Sequence, residues 1–384
     1  MKRPVFHAFY FLLILAASCT GENVKQRDAE YDVENEKVTR AERFSLVTLD
    51  SCSLLTIIDP WQGAKGQRQT WYLVEKGRKP PGTAKPESVI YTPVERIICL
   101  STTHLAMVTA LGKEDAVAGV SGAEFIYNER ISTMIADGLI SDVGYEAGMN
   151  SELIIKTAPD LVMMYGIGNE SAAYTSKITE LGIKVLFNAD YLETDPLGKA
   201  EWIKLFGALF LKEEMADSIF NAVSEAYDDV RKIAAKNSEY TPSVLLGLPF
   251  RDTWYISPGN SYISKLISDA GGSYLWSDTE SSLSMPYALE TVFMKAQEAD
   301  YWLNTGSADS GNDILAMDKR LGSITCFKNG NLYNNNKRIT TQGGNDYWES
   351  GTINPHIILK DIASILHPGI FGNYEMIYYK KINK

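Results

Sequence analysis

The chain has 384 residues, 45% of them apolar and 22% charged, with 37 Lys and Arg against 48 Asp and Glu. At roughly 150 residues per domain this length allows two or three domains, and the composition is that of a globular chain with a sizeable core. A formal charge of −11 with no basic block argues against nucleic acid as the main partner, because phosphate contacts need clustered Lys and Arg, although a few local cations would suffice for a small anion.

In chain order, Lys2 and Arg3 precede an apolar run from Val5 to Ala17 that is too short for a comfortable membrane span. Leu15-Ala16-Ala17-Ser18 then places small residues before Cys19. This reads as a bacterial lipoprotein signal over residues 1–18, with Cys19 lipidated and the protein held in the cell envelope. Residues 19–43 are polar and read as a flexible tether. Residues 44–94 form an N-terminal β extension: Phe44 to Ile58 alternates as one or two strands, and Gly77 to Pro86 is a loop.

A first α/β lobe spans residues 95–195. It opens on a strand at Arg96–Leu100, followed by capping hydroxyls at Ser101, Thr102 and Thr103 and a helix from His104 to Leu111 stopped by Gly112. Strands follow at Ala116–Val120 and Lys184–Asn188. Residues 196–240 read as linker helices. Trp202, Leu205, Phe206 and Leu209 mark the first; Met215, Ile219, Val223, Tyr227 and Val230 mark a second of roughly 25 residues. The second α/β lobe, residues 241–384, has a strand at Thr241–Leu248, a turn at Ser257–Asn260, a helix at Ser261–Ala270 ended by Gly271-Gly272, and a last helix at Ile357–Leu366. Strand–helix alternation predicts parallel sheets covered by helices on both faces.

Two distant stretches say nearly the same thing. Asn150 to Gly166 and Ala288 to Gly306 each place a glutamate, Glu152 or Glu290, at the head of a short amphipathic helix, then enter an apolar strand and break at glycine. Each continues into a helix, a Leu-Gly pair (Leu181-Gly182, Leu321-Gly322) and another strand ending at Phe187 or Phe327. Glu152 stands 30 residues before Gly182, and Glu290 stands 32 before Gly322. A repeat of this period predicts two similar lobes with a cleft between them.

Other signals are sparse. Cys52, Cys99 and Cys326 allow at most one internal disulfide and read as buried thiols, the last two in apolar strands. Gly166-Ile167-Gly168-Asn169-Glu170-Ser171 resembles a dinucleotide fingerprint with Ser in the third glycine position; in an envelope protein that turn would place backbone at the cleft floor. The histidines His7, His104, His356 and His367 form no His-x-x-x-His pair, and there is no Cys-x-x-Cys, so no direct metal cage is expected. His104, at a loop-to-helix junction by the cleft, is a candidate ligand contact, with capping or packing as the alternative. There is no Gly-x-Ser-x-Gly elbow and no phosphate loop. Asp346 and Glu349 could in principle do acid–base work on a glycan.

Several segments together resemble the substrate-binding lipoproteins of ABC importers for ferric siderophores, haem and cobalamin, the periplasmic binding proteins of helical-backbone type. They are the Ile97–Leu100 strand leading to Leu111-Gly112, Ala118-Gly119-Val120, Met149-Asn150-Ser151-Glu152 before Ala158-Pro159-Asp160-Leu161-Val162, Ala270-Gly271-Gly272, Glu290, and Asp346-Tyr347-Trp348-Glu349. The resemblance covers about Glu95 to Pro368. It implies an α/β fold of two Rossmann-like lobes joined by a single long helix, with a shallow ligand cleft and small closing motions. It further implies that Glu152 and Glu290 dock onto arginines of a permease dimer through charge-assisted fork contacts; the alternative is that each carboxylate serves only its own helix N-terminus.

The family's cleft positions fall nearest Tyr145 and Glu146, Phe125 and Tyr127, Trp254 and Tyr255, Tyr287, and Asp346, Tyr347 and Trp348. The relatives' tryptophan before the first docking glutamate is replaced here by Glu146 or Tyr145, and their first-loop tyrosine falls near Ala123. Aromatic rings suit a flat macrocycle or catecholate, and Arg251 and Arg338 are candidates for ligand carboxylates or an anionic chelate. The expectation is a monomeric, non-enzymatic binder without a resident cofactor. Its ligand would be an iron chelate, haem or cobalamin, and its partner a membrane permease. A glycan hydrolase using the carboxylate pair, and a scavenger or sensor without a permease, are the alternatives.

Overall fold

A computed structural model describes residues 36–145, 148–166, 170–236 and 240–384. The expected signal peptide, His7, Cys19, most of the tether, Glu146 and residues 167–169 of the glycine-rich turn lie outside the described residues. The N-terminal extension is a four-stranded sheet: β1 (Phe44–Thr48), β2 (Ser53–Ile58), β3 (Arg68–Glu75) and β4 (Val89–Thr92). The Phe44–Ile58 stretch resolves into an antiparallel hairpin. Phe44 and Leu46 of β1 and Leu55 and Ile57 of β2 are buried, and the Phe44 ring lies 4.5 Å from that of Trp202.

The first lobe is built on β5 (Ile97–Cys99), β6 (Val117–Val120), β7 (Ser141–Asp142), β8 (Leu161–Met164) and β9 (Val185–Phe187). These lie in the order β7-β6-β5-β8-β9, all parallel. Every residue of β5, β6, β8 and β9 is buried, as expected for parallel strands covered on both faces. The covering helices are α1 (Thr102–Ala110), α2 (Glu129–Ala136), α3 (Ser151–Lys156) and α4 (Glu170–Glu180).

The linker holds three helices: α5 (Pro196–Glu201), α6 (Ile203–Phe210) and α7 (Glu213–Lys236). The 24-residue α7 buries Phe220, Val223, Tyr227, Val230 and Ala234 on one face, the helical spacing legible in the sequence. Gly207 of α6 permits the α6–α7 corner, since a Cβ there would lie 2.6 Å from the Ala216 methyl. The chain just before β1 is bolted to this linker. Glu201 is fully buried, accepts the backbone amides of Thr39, Arg40 and Ala41, and is paired at 2.8 Å with Lys204. Glu193 likewise accepts the amides of Glu42 and Arg43 and the Trp202 indole N–H.

The second lobe contains β10 (Ser243–Leu246), β11 (Pro249–Phe250), β12 (Thr253–Ile256), β13 (Ser273–Tyr274), β14 (Met285–Ala288), β15 (Tyr301–Leu303), β16 (Leu332–Asn334) and β17 (Lys380–Lys381). Its main sheet has the order β13-β10-β15-β16-β17, parallel except for β17. β11, β12 and β14 form a small antiparallel sheet. The helices are α8 (Tyr262–Asp269), α9 (Leu289–Ala296), α10 (Gly311–Met317), α11 (Thr325–Asn329) and α12 (Pro355–Leu366). The repeat is thus real in topology, with one correction. The strand expected to end at Phe327 is a 3-10 turn, Lys319–Ser323, followed by α11, which is closed by Gly330 at φ 71°. The strand equivalent to β9 comes later, as β16. Cys326 therefore sits on a helix; it, Cys52 and Cys99 are free and buried.

Candidate ligand cleft

In an open parallel sheet the ligand crevice forms outside the carboxyl ends of the strands, where consecutive connections depart in opposite directions. From β5 the chain moves to β6 and β7 on one side; from β8 it moves to β9 on the other. The switch point of the first lobe therefore lies between β5 and β8, at Ser101 and at Tyr165-Gly166. The same logic puts the second switch point between β10 and β15, at Gly247 and at Asn304-Thr305-Gly306. At about 4.8 Å per strand, the rim from β7 to β9 is roughly 19 Å long.

That rim is aromatic. Beyond β6 and β7, Phe125 and Tyr145 meet edge to face at 5.9 Å and are 45% and 44% exposed. Gly122, at φ 68°, turns the chain so that Phe125 lies back against it. Beyond β8 and β9, Tyr165 and Tyr191 meet at 6.4 Å. In the second lobe, the β11–β12 hairpin turns through Arg251 at φ 55°, and the Arg251 guanidinium lies 5.2 Å from the Phe250 ring. Strand alternation then exposes Tyr255 (56%) and buries Trp254 completely.

The structure brings together some of the expected residues and separates others. Tyr127 sits under the Arg338 guanidinium at 5.1 Å, and Arg338 is paired with Asp346 at 2.6 Å. Glu349 accepts the backbone amides of Tyr127 at 2.7 Å and Asn128 at 3.0 Å, joining the two lobes directly. Trp348 is 54% exposed beside Tyr347, and Tyr287 packs partly buried against Trp276.

Three expectations of ligand contact are corrected. Trp254 is a core residue whose indole donates to the Leu246 carbonyl at 3.0 Å and stacks on Trp302. Tyr347 is buried against Tyr378 and Tyr379. His104 faces inward from α1, 6.4 Å from Phe206, with no partner for either ring nitrogen; burial pushes its pKa down to about 3. Among the described residues no cluster of three or more His, Cys, Asp or Glu could hold a metal ion.

Two largely parallel sheets, each with a switch point, and a long connecting helix agree with the match found over residues 97–338 to the family model described as periplasmic binding protein. The chain belongs to the periplasmic binding protein family. An uncharacterized lipoprotein of Methanocaldococcus jannaschii is 28% identical over 349 residues, covering 85% of this chain and 81% of the relative. Among solved structures, a periplasmic heme binding protein from Pseudomonas aeruginosa superposes with a TM-score of 0.57 at 14% identity, covering 76% of this chain and 99% of that one. The periplasmic vitamin B12 binding protein of Vibrio cholerae gives 0.51 at 16% identity, covering 71% and 97%. At these identities the structures show the shared fold.

In this periplasmic binding protein the two repeated glutamates are both exposed and differ in setting. Asn150 caps α3 by accepting the Leu153 amide at 3.1 Å, and Glu152 stands in the first turn with no ion pair among the described residues. Glu290, in the first turn of α9, is paired at 3.1 Å with Arg320, which also grips Asp318 at 2.6 Å. Its own backbone amide and the Arg320 guanidinium hold the Glu290 carboxyl below its usual range. The rim residues Tyr165 and Tyr191 escaped the sequence reading, as did Trp61, whose ring lies 5.4 Å from that of Phe187 at the end of β9. Tyr165 could have been found, since it directly follows an apolar parallel strand; Trp61 could not, because its contact depends on a fold-back of more than a hundred residues.

Proposed function

We propose that this protein is the substrate-binding component of an ABC importer, capturing a flat metal chelate (haem, a corrinoid or a ferric siderophore) and delivering it to a membrane permease. The observation that carries the reading is the aromatic rim at the switch points of two lobes in a chain of this family. Rings presented beside exposed Arg251 suit stacking against a planar, anionic ligand. The names of the solved neighbours, one binding heme and one vitamin B12, point the same way. The ligand is cargo, and the protein acts as a monomer without a resident cofactor. Cys19 carries a lipid that keeps it at the envelope, in keeping with the description of its archaeal relative as a lipoprotein.

Glu152 and Glu290 are proposed to dock onto permease arginines. The hydrolase alternative is weaker because its carboxylate pair is already engaged: Asp346 is bound to Arg338 and Glu349 to two amides. The test has two arms. Haem, cobalamin and ferric siderophores are screened for a concentration-dependent rise in melting temperature, as mass action requires of a true ligand. The double variant Glu152→Lys, Glu290→Lys is then expected to keep wild-type affinity and lose uptake in cells. Normal uptake by that variant would remove the docking assignment, whereas ligand binding by the wild type with no uptake that depends on it would favour a scavenger or sensor.

A further inference from the structure

Residues before 97 lie outside the family match, yet they reach the cleft. The β2–β3 loop closes on itself at its base, where the Asp59 amide donates to the Gln67 carbonyl at 2.8 Å, the Gln67 amide donates to the Asp59 carboxylate at 3.0 Å, and Arg43 lies 3.6 Å from Asp59. Its tip is seated on the end of β8. The Gln62 amide donates to the Gly166 carbonyl and to the Tyr191 hydroxyl, both at 3.0 Å, and the Tyr191 hydroxyl donates to the same carbonyl. The Trp61 side chain presses on Gly166 so closely that a Cβ at position 166 would collide with it and with Phe187. Its ring leans on buried Phe187 at 5.4 Å with a 53° tilt, and Trp61 remains partly exposed. Gly166 is the residue at which the first lobe's switch point opens. The same loop carries Lys65, and Arg68 opens β3; both are exposed.

We infer that Trp61 is a ligand-contacting residue: the N-terminal sheet supplies one wall of the cleft, an indole on a loop that also bears exposed Lys65, suited to a planar ligand with anionic substituents. This rests on the proposed binding function. It also differs from a packing role in a measurable way. If Trp61 only packs on Phe187, then leucine and phenylalanine should replace it about equally well. If it stacks on a ligand, only the aromatic substitute should preserve binding.

The experiment uses the full mature chain as wild type, Trp61→Leu and Trp61→Phe. Affinities for haemin, cyanocobalamin and ferric catecholate and hydroxamate complexes are measured by titration, with thermal unfolding of each ligand-free protein alongside. Trp61→Leu is expected to weaken binding about tenfold or more, with Trp61→Phe restoring most of it. In parallel, oxidation of Trp61 in the wild-type chain by N-bromosuccinimide, mapped by mass spectrometry, is expected to slow when ligand is bound; this arm does not depend on any variant folding. Equal affinities for the two variants, or unprotected Trp61 in the ligand-bound protein, would overturn the inference while leaving the binding function standing. Failure of the wild type to bind any of the probes would overturn both.

Discussion

His104 shows how a single residue can be visible in sequence and still be misplaced. A histidine at a loop-to-helix junction invites a ligand role, but in α1 the side chain follows the helical face that meets Phe206, and both ring nitrogens end up buried without partners. Such a site favours the neutral imidazole. Its folded pKa of about 3 lies below the ordinary 6.5, so the stability it contributes is present above pH 6.5 and is lost as pH falls toward 3. Between pH 7 and pH 5 that amounts to about 2 kcal/mol. His104→Leu is therefore expected to lose less stability than wild type over this interval in urea titrations; equal losses would mean that the ring finds a partner in solution. Trp254 illustrates the same problem on a strand. Alternation says that one of Trp254 and Tyr255 faces out, but the register that decides which is fixed by pairing with β14, thirty-odd positions away in the chain.

At the level of elements, local patterns carried the reading a long way. The buried stripe of α7 and the continuous apolar runs of β5 and β8 were legible because period and run length are local properties. The error at Cys326 arose where Ile324 and Cys326 alternate like a strand but are too few to exclude a short helix, and Cys326 and Phe327 lie in α11 with Ile324 as its N-cap. Long-range anchoring had no such signature. Glu201 reads as an ordinary polar helix residue, yet it is fully buried and organises three amides and Lys204. Burial alone would push its carboxyl up, but Lys204 and those amides hold it below its usual range. Glu201→Ala would leave the buried Lys204 ammonium with the half-exposed Asp217, at 3.9 Å, in place of the 2.8 Å pair, and breaking a buried pair from one side costs about 3–5 kcal/mol. The expected result is a corresponding loss in denaturant titrations together with new proteolytic cleavage near Thr39–Arg43; protection of that segment in the variant would contradict the anchoring.

Across the whole molecule, the twin-lobe architecture was readable from the internal repeat, whereas the bond that joins the lobes was not. Glu349 crosses from the second lobe to two amides of the first, and burial pushes its pKa up to about 7, with those amides opposing and the Asp346 charge adding to the rise. A carboxyl raised above its ordinary 4.5 contributes stability that is complete below pH 4.5 and is lost as pH rises through 7, about 3 kcal/mol in total. Glu349→Gln is expected to flatten that part of the pH profile. Its stability relative to wild type should improve between pH 5 and pH 8, as read by urea unfolding at several pH values; parallel profiles would show that Glu349 titrates normally.

The unequal surroundings of Glu152 and Glu290 bear on how the proposed transport complex would assemble. A two-fold receptor offers the same arginine twice, but this protein does not offer the same acid twice. Glu152 can accept an incoming guanidinium at once, whereas Glu290 must first exchange Arg320, which stays behind on Asp318. Under the proposed docking, landing would have an order, α3 before α9, with Arg320 holding the place of the second partner at Glu290 until the exchange.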